Sequence, residues 1–306
     1  MSQVVIWHVA ILRLSPDACS VKFKHDKIEP PGNNLGAKLA KKQLNGRSMW
    51  TMTSVDYVNA SVKNVEESIK KFGLKLPKRS TTPMSSAFVP ELDGTAELDS
   101  DRLTLYQELI GVLRWATEIG RVDILHEVSI LSQYQALPRE GHLEEVLRIF
   151  AYLKSKPKLT LYFDPTLPVI DYGLFTTKRD DFKEFYRDAE EELPYRMPVP
   201  RGRPVVTTAF VDASHAANKV TRKSHTGYVI FINRSPTLWY SKRQQTIEGS
   251  TFSSEFIAMR ACVEAIQHLQ FKLRMFGVPL PLGEPTHVFC DNESVVKNCT
   301  RVESVL

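Results

Sequence analysis

Val205-Val206-Thr207-Thr208-Ala209-Phe210-Val211-Asp212 is a β-branched and aromatic run that ends on a carboxylate. Such residues fit a pleated, half-buried surface, so the run predicts a strand over 205–211 with Asp212 at its end. Two more carboxylates follow at different kinds of place. Ser253-Ser254-Glu255-Phe256-Ile257-Ala258-Met259 opens a long helix, predicted over 254–276, with Glu255 in its first turn. His287-Val288-Phe289-Cys290 is a short apolar strand that runs into Asp291. Carboxylates at a strand end, a helix start and another strand end can converge on one rim of a sheet. Hard cations such as Mg²⁺ take oxygen ligands, often from a few carboxylates plus phosphates. Two such ions roughly 3.5–4 Å apart activate a water and stabilise a leaving oxygen. Taken singly, each acid is equally well an ordinary cap or turn residue.

The elements between these acids set a topology. Residues 228–232 and 237–240 are β-rich runs separated by Asn233-Arg234-Ser235-Pro236, a turn. With 205–211 they predict an antiparallel meander. The helix over 254–276 then crosses back to the strand 287–290, and Phe256, Met259, Val263, Ile266 and Phe271 are placed on its sheet-facing side. A second helix is predicted to start near Ser294.

The chain has 306 residues, 42% hydrophobic and 25% charged, the length of about two domains and the composition of an ordinary globular protein. No apolar run approaches the length of a membrane span. The apolar start, residues 4–12, has no preceding basic residue and is broken by His8, which favours a strand over a signal peptide. The net charge of +5 permits nucleic-acid binding without establishing it. Cys19, Cys262, Cys290 and Cys299 make no C-x-x-C pair and no Cys/His zinc pattern, and read as buried structural thiols.

In the first half, 35–39 and 48–52 predict two short strands around an Asn45-Gly46 turn. Thr53 or Ser54 caps a helix over 55–72, whose Val55, Val58, Val62, Val65 and Ile69 share a face. Gly73 ends it. Residues 74–99 read as a linker, approached by the basic cluster Lys70, Lys71, Lys75, Lys78 and Arg79. From Asp99 a bundle of helices is predicted, with Leu105, Leu109, Ile110, Leu113 and Ala116 as one apolar stripe, Gly120 as a break and a third helix around 143–153. His142, near the start of that helix, reads as a surface or cap residue rather than a catalytic one. Residues 180–204 change composition: an acidic helix, then an extended stretch with Pro194, Pro198, Pro200 and Pro204.

Phe210-Val211-Asp212-Ala213, Ser224-His225-Thr226-Gly227-Tyr228, Trp239-Tyr240-Ser241-Lys242-Arg243-Gln244, Ser253-Ser254-Glu255-Phe256 and Cys290-Asp291-Asn292 resemble, in order and spacing, the ribonuclease H domain of copia-type retrotransposon Pol polyproteins. Residues from about 22 to 165 resemble the end of the reverse transcriptase of the same elements, including Tyr106-Gln107-Glu108-Leu109-Ile110-Gly111 and Gly141-His142-Leu143. The resemblance implies a mixed fold, α+β with an α/β part. Residues 1–165 would be the C-terminal part of a reverse transcriptase, with a primer-grip-like hairpin and thumb and connection helices. Residues 166–203 would be a tether, and 204–306 a ribonuclease H-like mixed sheet. It also implies metal-dependent hydrolysis of the RNA strand of an RNA–DNA hybrid, with Asp212, Glu255 and Asp291 as catalytic residues and ligands of two Mg²⁺ (or Mn²⁺) ions. The implied partners are the hybrid or template–primer and the rest of the Pol polyprotein, with no membrane. The implied location is cytoplasmic, in a virus-like particle. Two departures temper this. No Tyr-x-Asp-Asp polymerase hairpin occurs, so no polymerisation is expected. The family's domain also continues through a further strand and a last helix carrying a fourth ligand, so the site is expected to be a weak or inactive nuclease. The alternative is a nucleic-acid-binding remnant without catalysis.

Overall fold

A computed structural model describes residues 31–44, 46–171, 187, 195, 197–281 and 286–301. The readings made for residues 1–30, for Asn45 and for the acidic helix before Pro194 lie outside them. Among the described residues there are six α-helices and two four-stranded sheets. The chain divides into two compact units. One comprises Met1–Phe163 with Asn218–Val220 and Ser241–Arg243, the other Asp164–Ala217, Thr221–Tyr240 and Gln244–Leu306.

The first sheet is built on a hairpin. Strands β1 (Asn33–Asn34), β2 (Ala37–Leu44), β3 (Arg47–Thr53) and β4 (Thr160–Phe163) lie in the order β1-β2-β3-β4. β2 and β3 pair antiparallel from Lys38 opposite Thr53 to Leu44 opposite Arg47, with Gly46 at φ +75 in the turn. β4 pairs antiparallel with β3 and carries no signal of its own, because four residues are too few to show a period. Its place is set by its distant partner, and the Thr53 hydroxyl fastens it by donating to the Leu159 carbonyl at 2.9 Å.

Between these strands run α1 (Val55–Lys70), α2 (Ser100–Glu118), α3 (Leu125–Leu131) and α4 (Glu140–Ser155). The stripe read on α2 is buried throughout, and it packs in one core with Val58, Val62 and Ile69 of α1 and Leu143, Val146 and Phe150 of α4. Each fully buried side chain of this size contributes roughly 1.5–3 kcal/mol. Asp99 caps α2, its carboxylate accepting from the N–H groups of Asp101 and Arg102 at 3.1 and 2.9 Å. Gly120 ends the segment after α2 at φ +107. A Cβ there would meet Met52 and Leu161 at 3.2 and 3.3 Å, so both conformation and space require glycine.

Three expectations change. Ser54 is the cap residue of α1, but its hydroxyl makes no capping bond. Residues 74–99 are fastened to α4 rather than loose: Ser85 N–H donates to Glu145 Oε2 at 2.9 Å, and the Ser155 hydroxyl donates to the Ser80 carbonyl at 3.0 Å. His142 is a cap residue, but a buried one. Its Nδ1 accepts from Arg139 N–H at 3.0 Å and its Nε2 faces the Pro90 carbonyl at 2.9 Å, so the proton sits on Nε2. Burial lowers its pKa, which keeps the ring neutral.

The second sheet has the order β7-β6-β5-β8, with β5 (Thr207–Ser214), β6 (His225–Ile232), β7 (Ser235–Arg243) and β8 (His287–Phe289). β5 is antiparallel to β6 and parallel to β8. Helix α5 (Thr251–Met275) separates β7 from β8, and α6 (Glu293–Cys299) follows. Of the five residues placed on the sheet-facing side of α5, Met259 and Ile266 are buried and the other three are not. Ala258, Met259, Cys262, Ile266, Leu269 and Leu273 are buried, while Phe256, Val263 and Phe271 remain 37–39% exposed. Small residues at Ser254, Ala258 and Cys262 share one side at i, i+4 spacing and let the helix lie close on the sheet, so bulk was a poor guide to the buried face.

Candidate metal centre

The pairing of β5 with β8 starts two of the three acids from neighbouring positions. Side chains two apart share a face of a strand. Phe210 of β5 is the register partner of Phe289 of β8, and their rings stack at 4.8 Å. One step further along each chain in the same direction come Asp212 and Asp291. Asp212 thus lies two residues past Phe210 within β5, and Asp291 two residues past Phe289, just beyond the end of β8. β5 continues past Asp212 to Ser214, so Asp212 lies within the strand rather than at its end.

The third acid comes from α5. Ser250 caps this helix, its hydroxyl accepting from Ser253 N–H at 3.1 Å. The helix therefore begins at Thr251, and Glu255 falls in its second turn, not its first. Glu255 is 6% exposed, and its Oε2 is buried without a hydrogen-bond partner. Its carboxyl is pushed up to about 7, first by burial and then by the charges of Asp212 and Asp291 and contact with the Asp212 carboxyl, against a lowering bond from the Ala213 backbone. Glu255, Cys290 and Asp291 each present a donor atom, all within 4.8 Å of one another. Asp212 stands outside that tight group yet acts on Glu255 directly. Asp212 and Asp291 thus both act on the buried Glu255 carboxyl, one oxygen of which has no hydrogen-bond partner.

The seat of Glu255 is held by residues that sequence reading quoted only as pieces of a pattern. Gln244 is buried, and its side-chain amide donates to the Ser254 carbonyl at 2.8 Å and the Thr226 hydroxyl at 3.0 Å. Its own backbone N–H donates to the Ser224 carbonyl at 2.8 Å, and the fully buried Ser224 hydroxyl accepts from Ala216 N–H at 3.0 Å. Nδ1 of His215 lies 3.2 Å from the Ser254 hydroxyl. The loop after β5, the start of β6, the end of β7 and the start of α5 are thereby locked together. Nothing in the residues alone marks Gln244 or Ser224 for this role, because their burial follows from contacts between distant segments.

Asn292 starts α6 directly after Asp291, its side chain accepting from Val295 N–H at 3.1 Å. At the far end of the sheet the Gln270 amide donates to the hydroxyls of Thr207 and Thr286 at 3.0 and 2.7 Å, tying α5 to β5 and to the approach to β8. Of the described cysteines, Cys262 is buried, Cys290 half-buried just past β8, and Cys299 exposed, so only the first is the buried structural thiol expected of all.

The donor set suits a hard divalent ion. Carboxylates are its preferred ligands, and a cation would relieve both the repulsion among the three acids and the isolation of Glu255 Oε2.

A retrovirus-related Pol polyprotein from transposon RE1 of Arabidopsis thaliana is 26% identical over 225 residues, 72% of this chain and 12% of its own length. One from transposon TNT 1-94 of Nicotiana tabacum is 22% identical over 287 residues, 90% of this chain and 18% of its own. The chain is related to the copia-type retrotransposon Pol polyproteins. A putative transposon Ty5-1 protein of Saccharomyces cerevisiae is 27% identical over 63% of this chain and 48% of its own length. The chain thus spans a small part of the polyproteins it matches. No family model matches it, and no solved structure does. No helix among the described residues is long and apolar enough to cross a membrane.

Proposed function

We propose that residues 204–306 are a ribonuclease H-like module that hydrolyses the RNA strand of an RNA–DNA hybrid, and that residues 1–165 are the end of a reverse transcriptase that holds the same duplex. The observation that carries this reading is the buried Glu255 carboxyl, one oxygen of which has no hydrogen-bond partner, with the charges of Asp212 and Asp291 acting on it. The relationship to Pol polyproteins supports the choice of substrate, the rest of such a polyprotein as partner, and a cytoplasmic particle as location.

Asp212, Glu255 and Asp291 would hold Mg²⁺ or Mn²⁺, two ions by the family pattern, which when bound supply an activated water and charge stabilisation at phosphorus. The exposed Asp212 and Asp291 face the solvent from which the duplex arrives. Glu255 forms the buried floor and is held in place through Ser254 and Gln244. The raised pKa of Glu255 means that it gives up a proton when a cation binds, so occupancy falls as pH drops below about 7.

The test is a hybrid with its RNA strand end-labelled, incubated with the chain in Mg²⁺ or in EDTA. Slow, metal-dependent cleavage of RNA and not of DNA is expected, reduced by about 10²–10³-fold in Glu255→Gln, the scale of removing one electrostatic group at a reacting centre. A second reading, binding without chemistry, is favoured by the β2–β3 hairpin, where Lys38, Lys41, Lys42 and Arg47 are all exposed. Hybrid that is retained at low salt, released at high salt and never cut would select that reading.

A further inference from the structure

Cys290 has no part in the chemistry proposed above, yet its sulfur stands inside the acid cluster. Sγ of Cys290, a carboxylate oxygen of Glu255 and one of Asp291 lie within 4.8 Å of one another. Cys290 and Asp291 are adjacent in sequence, and in a continuing strand they would point to opposite faces. β8 stops at Phe289 and the chain bends at Asp291, which lets both side chains reach Glu255. A second observation concerns the same carboxyl: Oε2 of Glu255, on a side chain more than nine-tenths buried, has no hydrogen-bond partner.

Two oxygens and one sulfur are a poor set for Mg²⁺, which binds through oxygen alone. They suit a borderline-soft ion. Zn²⁺ binds cysteine sulfur at roughly 2.3 Å and carboxylate oxygen at roughly 2.0–2.2 Å, commonly with three protein ligands and a fourth position open to water. Tetrahedral geometry at those lengths puts donors roughly 3.3–3.8 Å apart, so side-chain rotation closes the remaining gap of about an ångström. We infer that Glu255, Cys290 and Asp291 form a binding site for a thiophilic divalent cation, Zn²⁺ or Cd²⁺. On binding, the thiol proton leaves to solvent and a sulfur–metal bond forms, with no change of oxidation state. Thiolates select such ions over hard ones. Because Glu255 and Asp291 are shared, a soft ion seated here excludes Mg²⁺ from the oxygen-only site.

The site is tested with the full chain, freed of metal and titrated with Cd²⁺ while the ultraviolet sulfur-to-cadmium charge-transfer band is followed. A saturable band is expected. Cys290→Ser, which keeps the shape of the side chain, should abolish it, with the fold checked by circular dichroism. Asp291→Asn should weaken binding by about tenfold or more, since even changes around a metal's ligands move affinity by 10–100-fold. A chain carrying Cys19→Ala and Cys299→Ala should keep the band. Protection of Cys290 from iodoacetamide by Cd²⁺, read by mass spectrometry, should agree. A band that persists in Cys290→Ser, that is lost in the Cys19→Ala and Cys299→Ala chain, or that ignores Asp291→Asn overturns the inference. The site does not depend on the nuclease reading. A Cd²⁺ band through Cys290 in a chain that never cuts hybrid leaves this inference standing, and cleavage without the band removes it alone.

Discussion

The most deeply buried charged side chain described in each unit is Arg121 in one and Glu255 in the other, and the two are treated in opposite ways. Arg121, in the helical unit, is 1% exposed. Its Nε and one terminal nitrogen donate to both oxygens of Asp123 at 2.9 and 2.8 Å, and the Tyr152 hydroxyl donates to the same carboxylate at 3.0 Å. Only Nη1 is left without a partner. Glu255, in the sheet unit, has no cation beside it among the described residues and two further carboxylates near it. A buried charge that is paired belongs to the fabric of a fold. One surrounded by its own sign persists only if something outside the chain completes it, or if the fold tolerates the cost. That difference separates a structural charge from a candidate functional one.

The largest expected effect lies on the paired side. Asp123→Ala leaves the Arg121 guanidinium buried and uncompensated, and should cost about 3–5 kcal/mol in urea denaturation. A loss within experimental error would mean that the pair contributes nothing and that the comparison fails. Phe210→Ala removes the ring stacked on Phe289 beside the acids. It should cost about 0.5–1.5 kcal/mol, the worth of an aromatic pair, because Phe210 is already half exposed.

A smaller effect, of opposite sign, is expected at Glu255. Its folded pKa lies above the unfolded value, so stability is fully present below the usual carboxylate range and falls as pH rises through about 7. Glu255→Gln removes that loss. In EDTA the variant should melt above the parent chain at about pH 8 and level with it at about pH 4. Equal melting at both values would show that Glu255 is not held against its charge.

Much of this arrangement was legible in the residues. The α2 stripe is clear because five apolar positions repeat at helical spacing over a long run. The β5 acid is clear because a run of β-branched and aromatic residues leads straight to it. The rest depended on contacts between residues far apart in the chain. β4 is too short to announce itself. The buried face of α5 is chosen by small residues against the sheet, not by Phe256 or Phe271. Gln244 and Ser224 look like surface polar residues until the bends around them bring the start of α5 within hydrogen-bond reach. Cys290 joins the acids only because β8 ends one residue before it.

The central claim is that Asp212, Glu255 and Asp291 together hold divalent metal. Thermal unfolding followed against Mg²⁺ or Mn²⁺ concentration tests it most directly, because an ion that binds only the folded chain must raise its melting temperature by mass action. The parent chain should show a rise that saturates with metal, and a chain carrying both Asp212→Asn and Asp291→Asn should show none. A rise of equal size in that double variant would place the ion elsewhere and contradict the claim.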